Sequence, residues 1–365
     1  MISKALVKKS ISRAGQVAKR VITARMLKAK IGKVRKRIDP ARISATEADA
    51  AFVAASRTFL ERHFPRHTDL SWHIAYASVN GIRRGEYIPE NVFYHRVEPA
   101  INPRAAAETF SDKNMYDLLF PTAKLPPTVG RIVHGRPFSG EYSGLGYAGL
   151  LEALQRAGCD LVVKPSVETG GGRNVSVVPR DVVAGWTTAE LGRVVAGEEN
   201  LLFQELVQQH AALAAFHPAS LNTLRIVTFR PRARTVVVSA VLRMGVNNAR
   251  VDNQAAGGIS CGIDEGGRLR RFAYDKYFQR YSAHPSTGRA FEGFELPSYA
   301  EACDLGIALH ERLPLFGMIS WDIAIDSSGS PVLIEANLKW QEINFHQVNN
   351  GPLFGQYTAE MLSML

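Results

Sequence analysis

The reading turns on Trp321-Asp322-Ile323-Ala324-Ile325-Asp326 and Val332-Leu333-Ile334-Glu335-Ala336-Asn337, joined by Ser327-Ser328-Gly329-Ser330. Both runs are apolar and β-branched, and the link has turn composition, so they predict a β-hairpin. Antiparallel pairing brings Asp322, near the start of one strand, beside Glu335 and Asn337 at the end of the other. Side chains alternate across a strand, so 335 and 337 share a face. Two carboxylates and an amide oxygen on one face are hard oxygen donors. They suit Mg²⁺, which takes few protein ligands and completes its shell with phosphate and water.

Working outward, Leu161-Val162-Val163-Lys164-Pro165 predicts a short buried strand, and Val175–Val178 its partner. Between them lies Glu168-Thr169-Gly170-Gly171-Gly172-Arg173. Such a glycine loop brings backbone N–H groups to phosphate oxygens, and Lys164 supplies charge. Gln204-Glu205-Leu206-Val207 closes the strand at Leu201–Phe203 and has the character of a hinge that offers backbone groups to an adenine edge. Further strands are expected at 128–134, 224–229, 236–244, 319–325 and 331–335. Helices are expected at 45–64, 146–157, 187–195 and 298–312, and one from Ser111 as N-cap to Phe120 with Met115, Leu118 and Leu119 on its apolar face. Helices interleaved with mostly antiparallel strands make the class α+β.

Several motifs fail in context. Gly144–Gly149 fits GxGxxG, but no strand runs into it. Gly258–Gly262 fits GxSxG, but a glycine-rich hairpin follows where a nucleophile elbow needs a helix. His63 and His67 stand four apart with no third ligand, and read as a solvated helix face. No GxxxxGK[ST] sequence occurs.

The order of these features resembles the ATP-grasp superfamily over about residues 110–345, and most of all the sugar-transfer-associated ATP-grasp proteins. The resemblance runs through Asp112-Lys113, Val163-Lys164-Pro165 with its loop, Gln204–Val207, His217–Thr228, Val251–Gly258, Asp322 and Glu335-x-Asn337. D-alanine–D-alanine ligase and the RimK-like glutamate ligases share the ordered lysines, hinge and acidic pair. The resemblance implies two α+β subdomains clasping ATP, preceded by a smaller N-terminal region. It implies that Lys113 and Lys164 neutralise phosphates, that Gly170, Gly171 and Gly172 cover them, and that Gln204, Glu205 and Val207 meet adenine. Asp322, Glu335 and Asn337 would bind one or two Mg²⁺, with Mn²⁺ as the alternative ion. Arg243 and Arg225 would face the γ-phosphate. The implied activity is ATP-dependent formation of a carbon–nitrogen bond between a small-molecule carboxylate and an amine through an acyl phosphate, in surface-polysaccharide or natural-product synthesis. Two alternatives are a phosphotransferase acting on a hydroxyl and a catalytically silent adaptor associated with a membrane or nucleic acid. Asn337 is followed by Leu338-Lys339-Trp340-Gln341, where most of these ligases have a small residue and then Pro-Gly. The acceptor is thus the part the resemblance does not carry.

The chain has 365 residues, 46% hydrophobic and 21% charged, which excludes disorder, collagen and coiled coil as descriptions of the whole. The expected organisation is an arm at 1–38, a lead-in at 39–110, a catalytic domain at 111–350 and a tail at 351–365. Three separated cysteines (Cys159, Cys261, Cys303) with no CxxC pair argue against a disulfide scaffold and read as reduced and cytoplasmic. Residues 1–38 hold 13 Lys/Arg and no acid, while the rest is slightly acidic. Val7, Ile11, Ala14, Val17, Val21, Ala24, Leu27, Ile31, Val34 and Ile38 recur near the helical period. A basic amphipathic helix of this kind packs on its own protein, lies on an anionic membrane surface as a peripheral contact, or binds nucleic acid. No stretch reaches the length of a membrane span.

Overall fold

The structure is a computed structural model and describes residues 26–167, 174–232, 234–247, 249 and 257–365. Among the described residues, those up to Ile101, with Tyr277–Arg280 and Glu342–Leu365, form one unit, and those of Asn102–Lys276 with Tyr281–Gln341 form the other. No described helix is long and apolar enough to cross a membrane.

The first unit is helical. Residues 26–35 form a helix, and the i, i+4, i+7, i+11 spacing of Leu27, Ile31, Val34 and Ile38 places all four in the unit's core. Burying each such side chain contributes roughly 1.5–3 kcal/mol. Lys30 reaches the buried Glu90 at 2.6 Å, and the Arg37 guanidinium lies 3.6 Å from the Tyr277 ring centroid. The described part of the arm therefore spends its apolar face on its own protein; residues 1–25 lie outside the described residues. The helix Ser71–Asn80 has eight consecutive buried residues, Trp72 to Val79, and ends on Gly81 at φ +77°. It carries the stacked rings of Trp72 and Tyr76. A helix buried on all sides lacks the amphipathic stripe that pattern reading needs, and this one is not among the helices expected from sequence.

The second unit contains two antiparallel sheets. β1 (Thr128–Val133), β2 (Arg136–Ser139), β3 (Leu161–Pro165), β4 (Ser176–Val178) and β5 (Leu201–Glu205) form a sheet in the order β2-β1-β5-β3-β4. Leu150 and Leu154 of the helix Tyr147–Ala157, and Leu191 of the helix Thr188–Val195, cover it. β6 (Thr223–Phe229), β7 (Val236–Met244), β8 (Ile259–Ile263), β9 (Leu269–Tyr274), β10 (Arg280–Tyr281), β11 (Met318–Ile325) and β12 (Pro331–Asn337) form the other, in the order β10-β9-β8-β7-β6-β11-β12. Leu224, Ile226, Leu242, Cys261, Trp321, Ile323 and Leu333 share its core with Ala302 and Leu309 of the helix Tyr299–Glu311. A buried polar chain pins this face. The Trp321 indole N–H donates to Thr228 Oγ1 at 2.8 Å, Thr228 Oγ1 lies 2.7 Å from His310 Nδ1, and His310 Nε2 lies 2.8 Å from the Phe316 carbonyl. The α+β expectation is met: two antiparallel sheets, each covered by helices, make up this unit.

One expected helix is built differently. Ser111 does not cap a helix to Phe120; its hydroxyl bonds the Ala107 carbonyl and closes the helix Arg104–Phe110. Asp112 caps the next turn, Lys113–Met115, accepting from the Asn114 N–H at 2.9 Å. Met115 and Leu118 are exposed, and the buried pair is Tyr116 and Phe120. Asp accepts from a backbone N–H two or three residues on as readily as Ser does, so Asp112, one residue later, takes the capping role.

Candidate active site

The β11–β12 hairpin is fixed at its turn by Asp326, whose Oδ1 accepts from the Ser328 and Ser330 N–H groups at 3.0 Å. That turn sets the register: Asp322 is opposite Glu335, and Ser320 is opposite Asn337. The expected grouping of Asp322, Glu335 and Asn337 on one face is present. On the other side of β11, Asp322 is opposite Arg225 of β6. Arg243 lies on β7, opposite Thr223.

Arg225 holds the Asp322 carboxylate side-on. Its Nε meets Oδ1, and a terminal nitrogen reaches Oδ2 at 2.7 Å. Arg243 lies 3.2 and 3.3 Å from the two oxygens. Burial would raise the Asp322 pKa; the two guanidiniums and the hydrogen bonds from Arg225 and Asn337 outweigh it and hold the carboxyl below its usual range. Both arginines are almost fully buried.

Lys113 stands on the Asp112-capped turn, and its Nζ is 2.6 Å from Glu335 Oε1. Its backbone N–H donates to the Ser166 carbonyl at 2.8 Å, two residues past Lys164. Lys164 is buried on β3. Burial first, then the charge of Lys113, lowers its pKa to about 8, against the opposing pull of Glu335. Lys113, Lys164, Arg225 and Arg243 therefore exceed Asp322 and Glu335 in charge. A group of buried side chains with excess positive charge is suited to a polyanion, because its cations are already desolvated.

The chain passes from one sheet to the other just after Glu205. The Leu206 N–H donates to the Asp160 carbonyl at 2.9 Å on the first side, and the His210 N–H donates to the Ile325 carbonyl at 2.9 Å on the second. Glu205 and Val207 lie at this passage, where the hinge was expected. Gln204 faces elsewhere: its amide donates to the Pro126 carbonyl at 3.2 Å and to Thr128 Oγ1 at 3.1 Å. Gly170, Gly171 and Gly172 lie outside the described residues.

Residues 92–359 match the profile of the sugar-transfer associated ATP-grasp family. The chain belongs to this family. No curated protein sequence matches it. Among solved structures, this ATP-grasp chain is similar to D-cycloserine synthetase DcsG at 16% identity, over 72% of this chain and 73% of that one, with a TM-score of 0.45. It is similar to the ATP-grasp ligase PsnB complexed with a minimal precursor at 14% identity, over 72% and 62% of the chains, with a TM-score of 0.40. D-alanine–D-alanine ligase from Bacillus anthracis complexed with ATP matches at 13% identity, over 70% and 62%, with a TM-score of 0.36.

The donors of this ATP-grasp chain can be tested against a magnesium ion. Among the described residues no three His, Cys, Asp or Glu side chains converge as a ready-made metal cluster. Glu335 is a quarter exposed, and Asn337 uses its amide N–H to bond the Ser320 carbonyl at 3.1 Å, which leaves its oxygen available as a ligand. A carboxylate and an amide oxygen fit an ion that takes the rest of its shell from phosphate and water. The Asp322 oxygens accept from Arg225 and Arg243, so they are open to an ion only when a guanidinium turns away.

Some residues that build the site do so through hydrogen bonds that no sequence pattern reports. Asn222 donates to the carbonyls of Leu213 and His217 at 2.9 Å, and Gln209 to that of Ser220 at 2.7 Å. This knot launches β6 three residues before Arg225. Tyr116 is the other: its phenol accepts from the Ala336 N–H, between Glu335 and Asn337. An aromatic beside a proline-rich stretch reads as core, and only the fold reveals its partner.

Proposed function

We propose that this protein is an ATP- and Mg²⁺-dependent ligase that joins a small-molecule carboxylate to an amine through an acyl phosphate. The observation that carries the reading is the Lys113–Glu335 contact at 2.6 Å beside buried Lys164, with the Asp322–Arg225–Arg243 group in the neighbouring strands. The catalytic domain is assigned to about residues 111–350.

Lys113 and Lys164 bind and neutralise the phosphates, and Gly170, Gly171 and Gly172 are assigned to them on sequence alone. Glu205 and the backbone of Val207 hold the adenine edge; the Gln204 side chain serves the β1–β5 contact instead. Glu335 and Asn337 would hold magnesium, joined by Asp322 when Arg225 and Arg243 turn to phosphate. Magnesium supplies Lewis-acid polarisation and charge neutralisation at the β- and γ-phosphates. Arg243 and Arg225 place two fixed charges where a transferring phosphoryl group spreads its own. The chemistry is electrostatic throughout. Attack of a carboxylate oxygen on the γ-phosphorus releases ADP. Attack of the amine on the acyl carbon then expels phosphate, and the amine loses one proton. No protein nucleophile is needed.

The decisive experiment is calorimetry of ATP with and without Mg²⁺ on folded wild-type and Glu335→Gln protein. A panel of acids and amines is then followed for phosphate release with mass spectrometry of products. The reading expects tight Mg²⁺-assisted binding that Glu335→Gln abolishes, and ADP plus free phosphate as products. Phosphate retained on a hydroxyl would make the protein a phosphotransferase. Absence of nucleotide binding would make it a silent adaptor.

A further inference from the structure

An edge strand leaves alternate backbone N–H groups without a ladder partner, and a buried one must find another. β12 is the edge of the seven-stranded sheet. Glu335 and Asn337 flank Ala336 on it. The Ala336 N–H donates to the Tyr116 hydroxyl at 2.9 Å, and that hydroxyl lies 3.5 Å from the Ala336 carbonyl. Tyr116 is almost fully buried and meets Phe120 edge-on at 5.4 Å, while Phe120 meets Trp321 at 5.8 Å.

Tyr116 directly follows the turn that carries Lys113. The same turn is bonded to the five-stranded sheet: Lys113 N–H to the Ser166 carbonyl, and Arg131 at 2.8 Å and the Tyr142 hydroxyl at 2.6 Å to the Asn114 carbonyl. Residues 113–116 are thus a strut between the sheets. One end attaches two residues past Lys164, and the other attaches between Glu335 and Asn337. Phe would fill the apolar space beside Phe120 equally well; the phenol oxygen adds the bond to the strand.

We propose that Tyr116 is a positioning residue: its hydroxyl fixes Glu335 and Asn337 in register with Lys113 and Lys164, so that the magnesium-assisted part of nucleotide binding depends on it. The proposal rests on the nucleotide reading above. Its test uses full-length Tyr116→Phe protein, with two readouts. The first is hydrogen exchange at the Ala336 amide, with no ligand added. The second is calorimetric affinity for ADP in EDTA and in Mg²⁺. Loss of one hydrogen bond at a strand edge predicts exchange faster by about tenfold, EDTA affinity within about twofold of wild type, and a Mg²⁺ enhancement reduced about 3- to 10-fold. Phe120→Leu loosens the ring packing and keeps the hydroxyl, and is expected to retain the Mg²⁺ enhancement. Unchanged exchange in Tyr116→Phe, equal loss of both affinities, or loss of the enhancement in Phe120→Leu would overturn the proposal. A wild-type protein that binds no ADP in either condition overturns the nucleotide reading and, with it, the metal role of Tyr116. The exchange arm then reports only on the latch.

Discussion

Asp322 and Arg225 face each other directly across β11 and β6, and the carboxylate is held side-on by the guanidinium with almost no solvent contact. Removing one member of such a pair leaves a buried charge short of partners, whereas removing both does not. Arg225→Met is expected to destabilise the fold by about 3 kcal/mol, with Arg243 limiting the loss. Adding Asp322→Asn should recover part of it. Urea unfolding of the single and double variants gives the coupling, expected above about 1 kcal/mol. Additive losses would mean the pair is not energetically linked.

On the proposed reading, in which Lys164 meets the triphosphate, nucleotide binding has a pH dependence with a defined sign. Its pKa in the protein is about 8, and an anionic triphosphate favours the protonated form. Below pH 8 the ammonium is already present and affinity is flat. Above pH 8 binding must take up a proton, so affinity falls. Calorimetry at pH 9 in buffers of different ionisation enthalpy should detect proton uptake, and Lys164→Met should remove it.

The His310 imidazole sits between Thr228 and the Phe316 carbonyl, and burial pushes its pKa down to about 4. The folded value lies below the unfolded one, so the unfolded chain binds more protons between about pH 6.5 and 4. Stability from this group is complete above pH 6.5 and declines on acidification through that window, by up to about 3 kcal/mol. Urea midpoints at pH 7 and pH 5 measure it. His310→Gln should be less stable at pH 7 and show a flatter pH profile.

Val34, in the described part of the arm, is fully buried. Val34→Ala should cost about 2 kcal/mol through lost contacts and an unfilled space. Lys33→Ala and Lys36→Ala, on exposed positions of the same segment, should cost less than about 0.5 kcal/mol. Thermal unfolding of the three variants separates an arm that packs on its own protein from one that does not.

The sequence by itself determined the hairpin that places Asp322 opposite Glu335, because alternation in a β-strand is local and the Ser-rich turn sets the register. It also carried the strands around Lys164 and the passage after Glu205. Tertiary structure decided what local pattern cannot encode. The helix Ser71–Asn80 has no amphipathic face to read, since it is buried on every side. Lys113 needed the Asp112 cap to reach Glu335. Arg225 and Arg243, both far in the chain from Asp322, meet its carboxylate only because β6 lies between β7 and β11. Periodicity reports which face of an element is apolar; which charged groups then share a face is settled by strand order, a property of the whole sheet.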